Sequence, residues 1–145
     1  MTARLFVDAD EVALAAGTVV DLPQAAAHHA LRVLRLRDGD AVTLFDGTGG
    51  EWRATIGGAG RRGATAALEA HEPVERESPL AATLVLSTLA TDAMDYAVRK
   101  AVELGAAAIV PVVAVRSQGS ARGDRRVDHW RRIAIAACEQ CGRNR

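Results

Sequence analysis

Between Leu84 and Arg116 the apolar positions change period twice, and each change has a local cause. Leu84, Val85, Leu86 and Leu89 form a short apolar run, followed by Thr91-Asp92, whose side-chain oxygens suit the unpaired amides of a helix start. Asp95 stands three residues beyond Asp92, as in a capping box, with both carboxylates at the positive end of the helix dipole. Met94, Val98, Ala101 and Val102 then recur on one helical face, and Gly105 is the expected stop. Ala108 to Val115 is an almost unbroken apolar run, the pattern of a strand covered on both faces in a parallel sheet. Strand, helix, strand is a βαβ unit, whose crossover is right-handed in nearly all known cases, so this half is α/β.

Upstream the pattern shortens. Arg4 to Val7 and Thr18 to Val20 are brief strand candidates, and Pro23 opens a helix of good formers running from Ala25 to Leu34. Asp38-Gly39-Asp40 marks a turn, Val42, Leu44 and Phe45 a strand, and Asp46 to Gly50 a second turn. Trp52, Ala54 and Ile56 alternate, Gly57 to Gly63 is expected as a loop around Arg61-Arg62, and Ala64 to Ala70 is a further strand. Short strands with Gly-rich turns and one helix predict a small β-barrel or curled sheet. Val74 to Pro79 is charged and aperiodic, which makes it a linker, so the predicted organisation is 1–73, a linker at 74–79, and 80–145. After a flexible connection at Gln118–Gly123, Asp124 is expected to cap a final helix with Val127, Trp130, Ala134, Ala137, Cys138 and Cys141 on one face.

With 145 residues and 49% hydrophobic content the chain has core enough for one ordinary domain or two small ones. No apolar run approaches the roughly 20 residues that span a bilayer, and Arg4, Asp8 and Asp10 replace the apolar core of a signal peptide, so the expected location is the cytoplasm, with no membrane partner. The formal net charge is zero, but from Arg116 to Arg145 eight arginines face only Asp124, Asp128 and Glu139, leaving +5 there and −5 elsewhere. A basic segment of this kind predicts a polyanionic partner, and the guanidinium fork suits phosphate.

Each candidate for chemistry also has a plainer explanation. Cys138-x-x-Cys141 has the spacing of redox and zinc sites, but with no second pair and an apolar helical face it is expected to pack, and no metal is expected. His28 and His29 are adjacent on a helix and diverge, so at most one serves a ligand. Gly47-x-Gly49-Gly50 lacks the lysine and following helix of a phosphate loop and is a hairpin turn. Arg32, Arg35 and Arg37 form either a solvated face or an RNA-binding stripe; the arginines of the last helix are the stronger candidate.

Several motifs fall in one register: Arg4-Leu5-Phe6-Val7; His28-His29 with Val33 to Arg37 and Gly39-Asp40; Gly49-Gly50-Glu51-Trp52; Met94-Asp95 with Lys100-Ala101 and Glu103-Leu104-Gly105; Ile109-Val110-Pro111; Arg116-Ser117; and Trp130 through Ile133-Ala134, Ala137, Glu139-Gln140 and Gly142-Arg143. Across essentially the whole chain this order resembles the RsmE family of 16S ribosomal RNA uridine-N3 methyltransferases. The resemblance implies a PUA-like RNA-binding barrel followed by the first βαβα portion of a SPOUT methyltransferase domain, a homodimer, 16S ribosomal RNA or the small ribosomal subunit as partner, and S-adenosylmethionine as methyl donor. It implies roles in ribosomal RNA processing and ribosome biogenesis. Members of that family continue for roughly another hundred residues, about half a domain, which hold the trefoil knot and its Gly-Pro-Glu-Gly-Gly donor loop. The expectation is therefore a fragment of a longer protein, or a non-catalytic RNA-binding module whose chain holds no donor site. Thr91-Asp92-Ala93 also departs from the family's lysine-containing stretch, putting any substrate contact there in question.

The implied reaction is attack by uridine N3 on a sulfonium methyl group. A neutral imide nitrogen must lose its proton, and charge building on the adjacent carbonyls needs support. By this resemblance the catalytic candidates are Arg143, Asn144 and Gln140, with Glu139 as an orienting carboxylate or base; Glu139 is also placed for an intrahelical pair with Arg143. The RNA-binding candidates are Arg4, Arg32, Arg35, Arg37, Arg116, Arg125, Arg126, Arg131 and Arg132.

Overall fold

A computed structural model describes residues 2–60, 63–115 and 124–145. Arg61-Arg62, Arg116, the connection at 118–123 and the side chain of Asp124 lie outside the described residues. The chain forms two compact units, Met1–Arg76 together with Gly142–Arg145, and Glu77–Cys141. The last four residues thus lie with the first unit, whereas the sequence pattern groups them with the second.

The first unit holds β1 (Ala3–Phe6), β2 (Val19–Asp21), α1 (Gln24–His28) continued by a π-helical turn (His29–Val33), β3 (Ala41–Phe45), β4 (Glu51–Gly60) and β5 (Gly63–Glu72). The strands form one sheet in the order β1-β3-β4-β5-β2, with β1 parallel to β3 and the other pairs antiparallel. Alternation decides which face is covered: Val42 and Leu44, Ala54 and Ile56, and Ala64, Ala66 and Leu68 are all buried, each two residues from the next along its strand. The register stacks them, pairing Leu5 with Leu44, Val42 with Ala54, Ala54 with Leu68 and Ile56 with Ala66. Ala26, Ala27 and Ala30 complete this core from the helical segment. The Gly57–Gly63 stretch, expected as a loop, mostly continues the β4–β5 hairpin, with register shifts at Arg53/Ala54 and between Gly57 and Gly60. Glycine backbones still hydrogen-bond in a ladder even where no side chain announces a strand, and the shifts bend it.

The second unit holds β6 (Thr83–Ser87), α2 (Thr91–Glu103), β7 (Ala108–Val112) and α3 (Asp124–Cys141). β6 and β7 pair in parallel, Leu84 opposite Ile109 and Val85 opposite Val110, so the βαβ unit forms as its pattern predicts. Met94, Val98, Ala101 and Val102 are all buried. The predicted side-chain cap does not form: Ala90 is the N-cap with no side-chain hydrogen bond, and the Met94 amide bonds the Ala90 carbonyl at 2.9 Å. Asp92 stays in the first turn, where the helix dipole favours a carboxylate. The other end stops at Gly105, whose φ of 85° turns the chain so that the Gly105 and Ala106 amides bond the Val102 and Ala101 carbonyls, both at 2.9 Å.

Two further expectations change. β7 was expected to be covered on both faces, yet Ala108, Val110 and Val112 are exposed, because within this chain β6 is its only strand neighbour among the described residues. The two cysteines were expected on one apolar face; Cys138 is buried and Cys141 exposed, since three residues of helix rotate the second sulfur by about 300° rather than a full turn.

Candidate nucleic-acid interface

Two of the arginine groups are solvent-facing and one is built into the fold. Arg4 belongs to the last kind. Its Nη1 donates to Glu51 Oε1 at 2.7 Å, its Nη2 to the Arg143 carbonyl at 3.1 Å, and its guanidinium lies 5.0 Å from the Phe45 ring centre. Arg76 donates to the same carboxylate through Nε at 3.1 Å. Burial pushes the Glu51 carboxyl up, but hydrogen bonds and charge from Arg76 and Arg4 outweigh it and hold it below its ordinary value of 4.5. The same bond raises Arg76 above its ordinary range. Two guanidinia around one buried carboxylate leave Arg4 little freedom to leave for a phosphate.

Arg32, Arg35 and Arg37 are exposed at the far end of the helical segment. There the helix widens: the Leu34 amide bonds the His29 carbonyl and the Leu36 amide the Ala30 carbonyl, both at 2.9 Å, and Arg35 between them takes φ 57°. A left-handed conformation at a residue with a Cβ costs about 1 kcal/mol or more, and π-helical turns recur at functional sites. Arg32 and Arg37 border a groove of about 670 Å³ with Leu31, Leu36, Asp38, Ala59 and Gly60. Asp40 accepts from the Arg37 amide at 2.7 Å and Asp38 from the Ala59 amide at 2.7 Å, so the two aspartates that signalled a turn also tie it to the hairpin.

On α3, Arg125, Arg126, Arg131 and Arg132 are exposed. At about 100° per residue Arg125 and Arg132 fall within roughly 20° of each other, while Arg131 stands about 100° away. They therefore do not form one face. Arg99 on α2, which sequence patterning passed over, borders the same inter-helix groove as Arg132. Its signal lay in the Asp95-x-x-x-Arg99 spacing on one helix surface, yet Asp95 is bonded by His129 Nε2 at 2.9 and 3.0 Å instead.

The catalytic candidates separate at Gly142. Glu139 and Gln140 stand on α3, half-buried and exposed respectively, and Gln140 borders a groove with Arg99, Lys100 and Glu103. Beyond Gly142, whose φ is 91°, Arg143 and Asn144 lie with the first unit. Asn144 is fully buried, donating to the Val74 carbonyl at 2.8 Å while its Oδ1 has no partner among the described residues. Arg145 reaches Glu75 at 3.4 Å and lies across Gly49. Glu51 and Arg76, the centre of this network, were missed as functional residues because they stand 25 positions apart with no periodic relation.

Residues 76–145 match a family described as the RNA methyltransferase domain, and residues 22–69 match the RNA methyltransferase PUA domain. The chain is 32% identical over 143 residues to Ribosomal RNA small subunit methyltransferase E of Synechocystis sp. (strain ATCC 27184 / PCC 6803 / Kazusa), covering 99% of this chain and 45% of that protein. It is 25% identical over 120 residues to the protein of the same name from Bacillus subtilis (strain 168), covering 81% and 47%. Among solved structures, Ribosomal RNA small subunit methyltransferase E from Neisseria gonorrhoeae, bound to S-adenosyl methionine, superposes with a TM-score of 0.89 at 38% identity over 99% of this chain and 58% of that one. A Legionella pneumophila methyltransferase in complex with the bound cofactor SAM gives 0.93 at 30% identity, over 100% and 60%. The chain spans about half the length of the curated relatives it matches.

Proposed function

We propose that this chain belongs to the RsmE family of ribosomal RNA small subunit methyltransferases and is the RNA-binding part and the opening βαβα portion of an enzyme that methylates N3 of a uridine in 16S ribosomal RNA. The observation that carries this reading is the ordered pair of domain matches, PUA at 22–69 and RNA methyltransferase at 76–145. In this reading residues 1–73 supply the PUA-like RNA-binding surface and residues 80–145 begin the SPOUT domain.

The RNA contacts fall to Arg32, Arg35 and Arg37 on the first unit, and to Arg125, Arg126, Arg131 and Arg132 on α3, with Arg116 beside them in sequence. Arg4 instead orders the chain around Glu51. Strain at Arg35 supports the first group, because a backbone conformation that costs energy persists where the surrounding structure holds it. The N3 proton has to be removed and the adjacent carbonyl charge supported; Arg143, Glu139 and Gln140 are kept for those tasks, while enclosed Asn144 is assigned to holding the chain. S-adenosylmethionine is the proposed donor, supplying an electrophilic methyl group on sulfur. The residues described here do not fit it: their grooves are open and bordered by arginine and lysine, a poor match for a sulfonium cation and an adenine ring. No step is therefore routed through it, and its site is assigned to the part of the relatives' length that this chain does not span. The exposed valines of β6 and β7 support a homodimer.

Deleting the gene in its host and measuring 16S ribosomal RNA nucleosides by mass spectrometry tests the reading. Loss of 3-methyluridine, restored by the wild-type gene, is the expected result. An unchanged 3-methyluridine content overturns it.

A further inference from the structure

Between α2 and α3 two grooves adjoin, sharing Arg99 and Ala136. The smaller, about 210 Å³, is bordered by Arg99, His129, Arg132 and Ile133. The larger, about 430 Å³, continues past Lys100, Glu103, Ala137 and Gln140. Alanines at 136 and 137 keep the floor low, which is why a trough exists where longer side chains would fill the inter-helix seam.

The charges around the trough are unequal in availability. Lys100 is taken by Glu103 at 2.6 Å, and Asp95 by the His129 ring. Each acid is therefore matched by a neighbour, and Arg99 has no hydrogen-bond or ion-pair partner among the described residues. Arg132 donates only through Nε, to the Asp128 carbonyl at 3.3 Å, which leaves both Nη groups of its fork unused there. Two exposed guanidinia thus face one small concavity from opposite helices. At about 30 Å³ per water the smaller groove holds several waters' volume, room for a phosphodiester group but not for a base pair.

We propose that this trough is a phosphodiester-binding site, with the forks of Arg99 and Arg132 holding one backbone phosphate of an RNA strand that runs along the α2–α3 seam. The proposal deepens the RNA-binding reading above and rests on it. It also shifts the footprint: contacts on the second unit centre on the side of α3 nearest Arg125 and Arg132, and they include a residue of α2. A guanidinium fork donates two parallel hydrogen bonds to two phosphate oxygens, so two forks satisfy one phosphate from two directions.

The test is fluorescence anisotropy of a labelled single-stranded RNA of about a dozen nucleotides, titrated with the protein over a salt series. Wild type is compared with Arg99→Gln, with Arg99→Gln/Arg132→Gln, and with Arg53→Gln, an exposed arginine paired to Glu72 in the first unit. Each lost single-strand phosphate contact flattens the log–log salt slope by about 0.7, so the double variant, which loses the one shared phosphate, is expected to lose about 0.7 and to bind about tenfold or more weakly at low salt, with Arg53→Gln close to wild type. Unchanged circular dichroism and melting, expected for exposed positions, show that the variants fold. A double variant with the slope of Arg53→Gln overturns the trough while leaving the RNA-binding reading standing. Absence of RNA binding by wild type overturns the parent reading instead. The trough then stands or falls on inorganic phosphate, titrated against arginine Nε–H signals by NMR: selective shifts of Arg99 and Arg132 support it, and their absence overturns it.

Discussion

The two units spend similar apolar sequence very differently. In the first, thirteen hydrophobic residues from β1, β3, β4, β5, the helical segment and the positions just after β1 and β2 form one buried cluster, several of them with no exposed surface. In the second, the helix α2 buries its stripe, but the strands it connects leave Val85 62% exposed and Val110 43% exposed. A five-stranded sheet that rolls its apolar face onto a helix satisfies itself; a two-stranded parallel sheet does not, because parallel strands are ordinarily covered on both faces. The difference shows that an apolar run states a need for cover and leaves open who provides it.

The comparison is broken most severely in the first unit's core. Leu44→Ala, at a fully buried position, is expected to lower stability by about 2–5 kcal/mol in urea unfolding followed by Trp52 fluorescence, whereas Val110→Ala in β7 is expected to cost well under half of that. Equal losses would mean that β7 is covered after all. Next comes Glu51→Gln, which leaves Arg4 and Arg76 without their shared carboxylate and is expected to cost about 1–3 kcal/mol at neutral pH. Because the folded Glu51 carboxyl titrates below its ordinary 4.5, its contribution is full above that pH and is lost as pH falls through the lower folded value. The gap between wild type and Glu51→Gln should therefore close on acidification below about pH 4.5, and a gap that widened there would refute the assignment.

A third change addresses the second unit. Gly105→Ala places a Cβ at φ 85° and 3.0 Å from the Ser78 Cβ, and about 1 kcal/mol of destabilisation is expected, seen as earlier hydrogen exchange at the α2 C-terminus. The smallest effect is at the open face. Val85→Thr with Val110→Thr should change unfolding free energy by no more than about 0.5 kcal/mol, while light scattering across a concentration series should show weaker self-association. Association unaffected by both changes would place the contact elsewhere.

Much of the second unit was legible because its signals are local: the period change at Thr91, the stripe of Met94, Val98, Ala101 and Val102, and the stop at Gly105 act over a few residues each. The first unit's strands were also legible where alternation was clean, and failed at Gly57 to Gly60, where glycine carries ladder bonds without any side-chain pattern. The site was less legible. The exposed arginines could be found by composition, but Arg99 could not be separated from an ordinary surface residue until α3 came to lie beside it. Nor did sequence distinguish Arg4, held by Glu51, from arginines that remain accessible.

What the residues determine by themselves is therefore periodicity, turns and the gathering of charge toward the C-terminal end, since each follows from backbone sterics, side-chain spacing or simple counting. Only the tertiary structure decided which charges are spoken for. Arg4, Glu51, Arg76 and the Arg143 carbonyl meet because β1 pairs with β3 and β3 with β4, and the chain returns after Gly142. A contact across 139 positions leaves no mark in any local pattern, because its partners are chosen by strand register rather than by spacing along the chain.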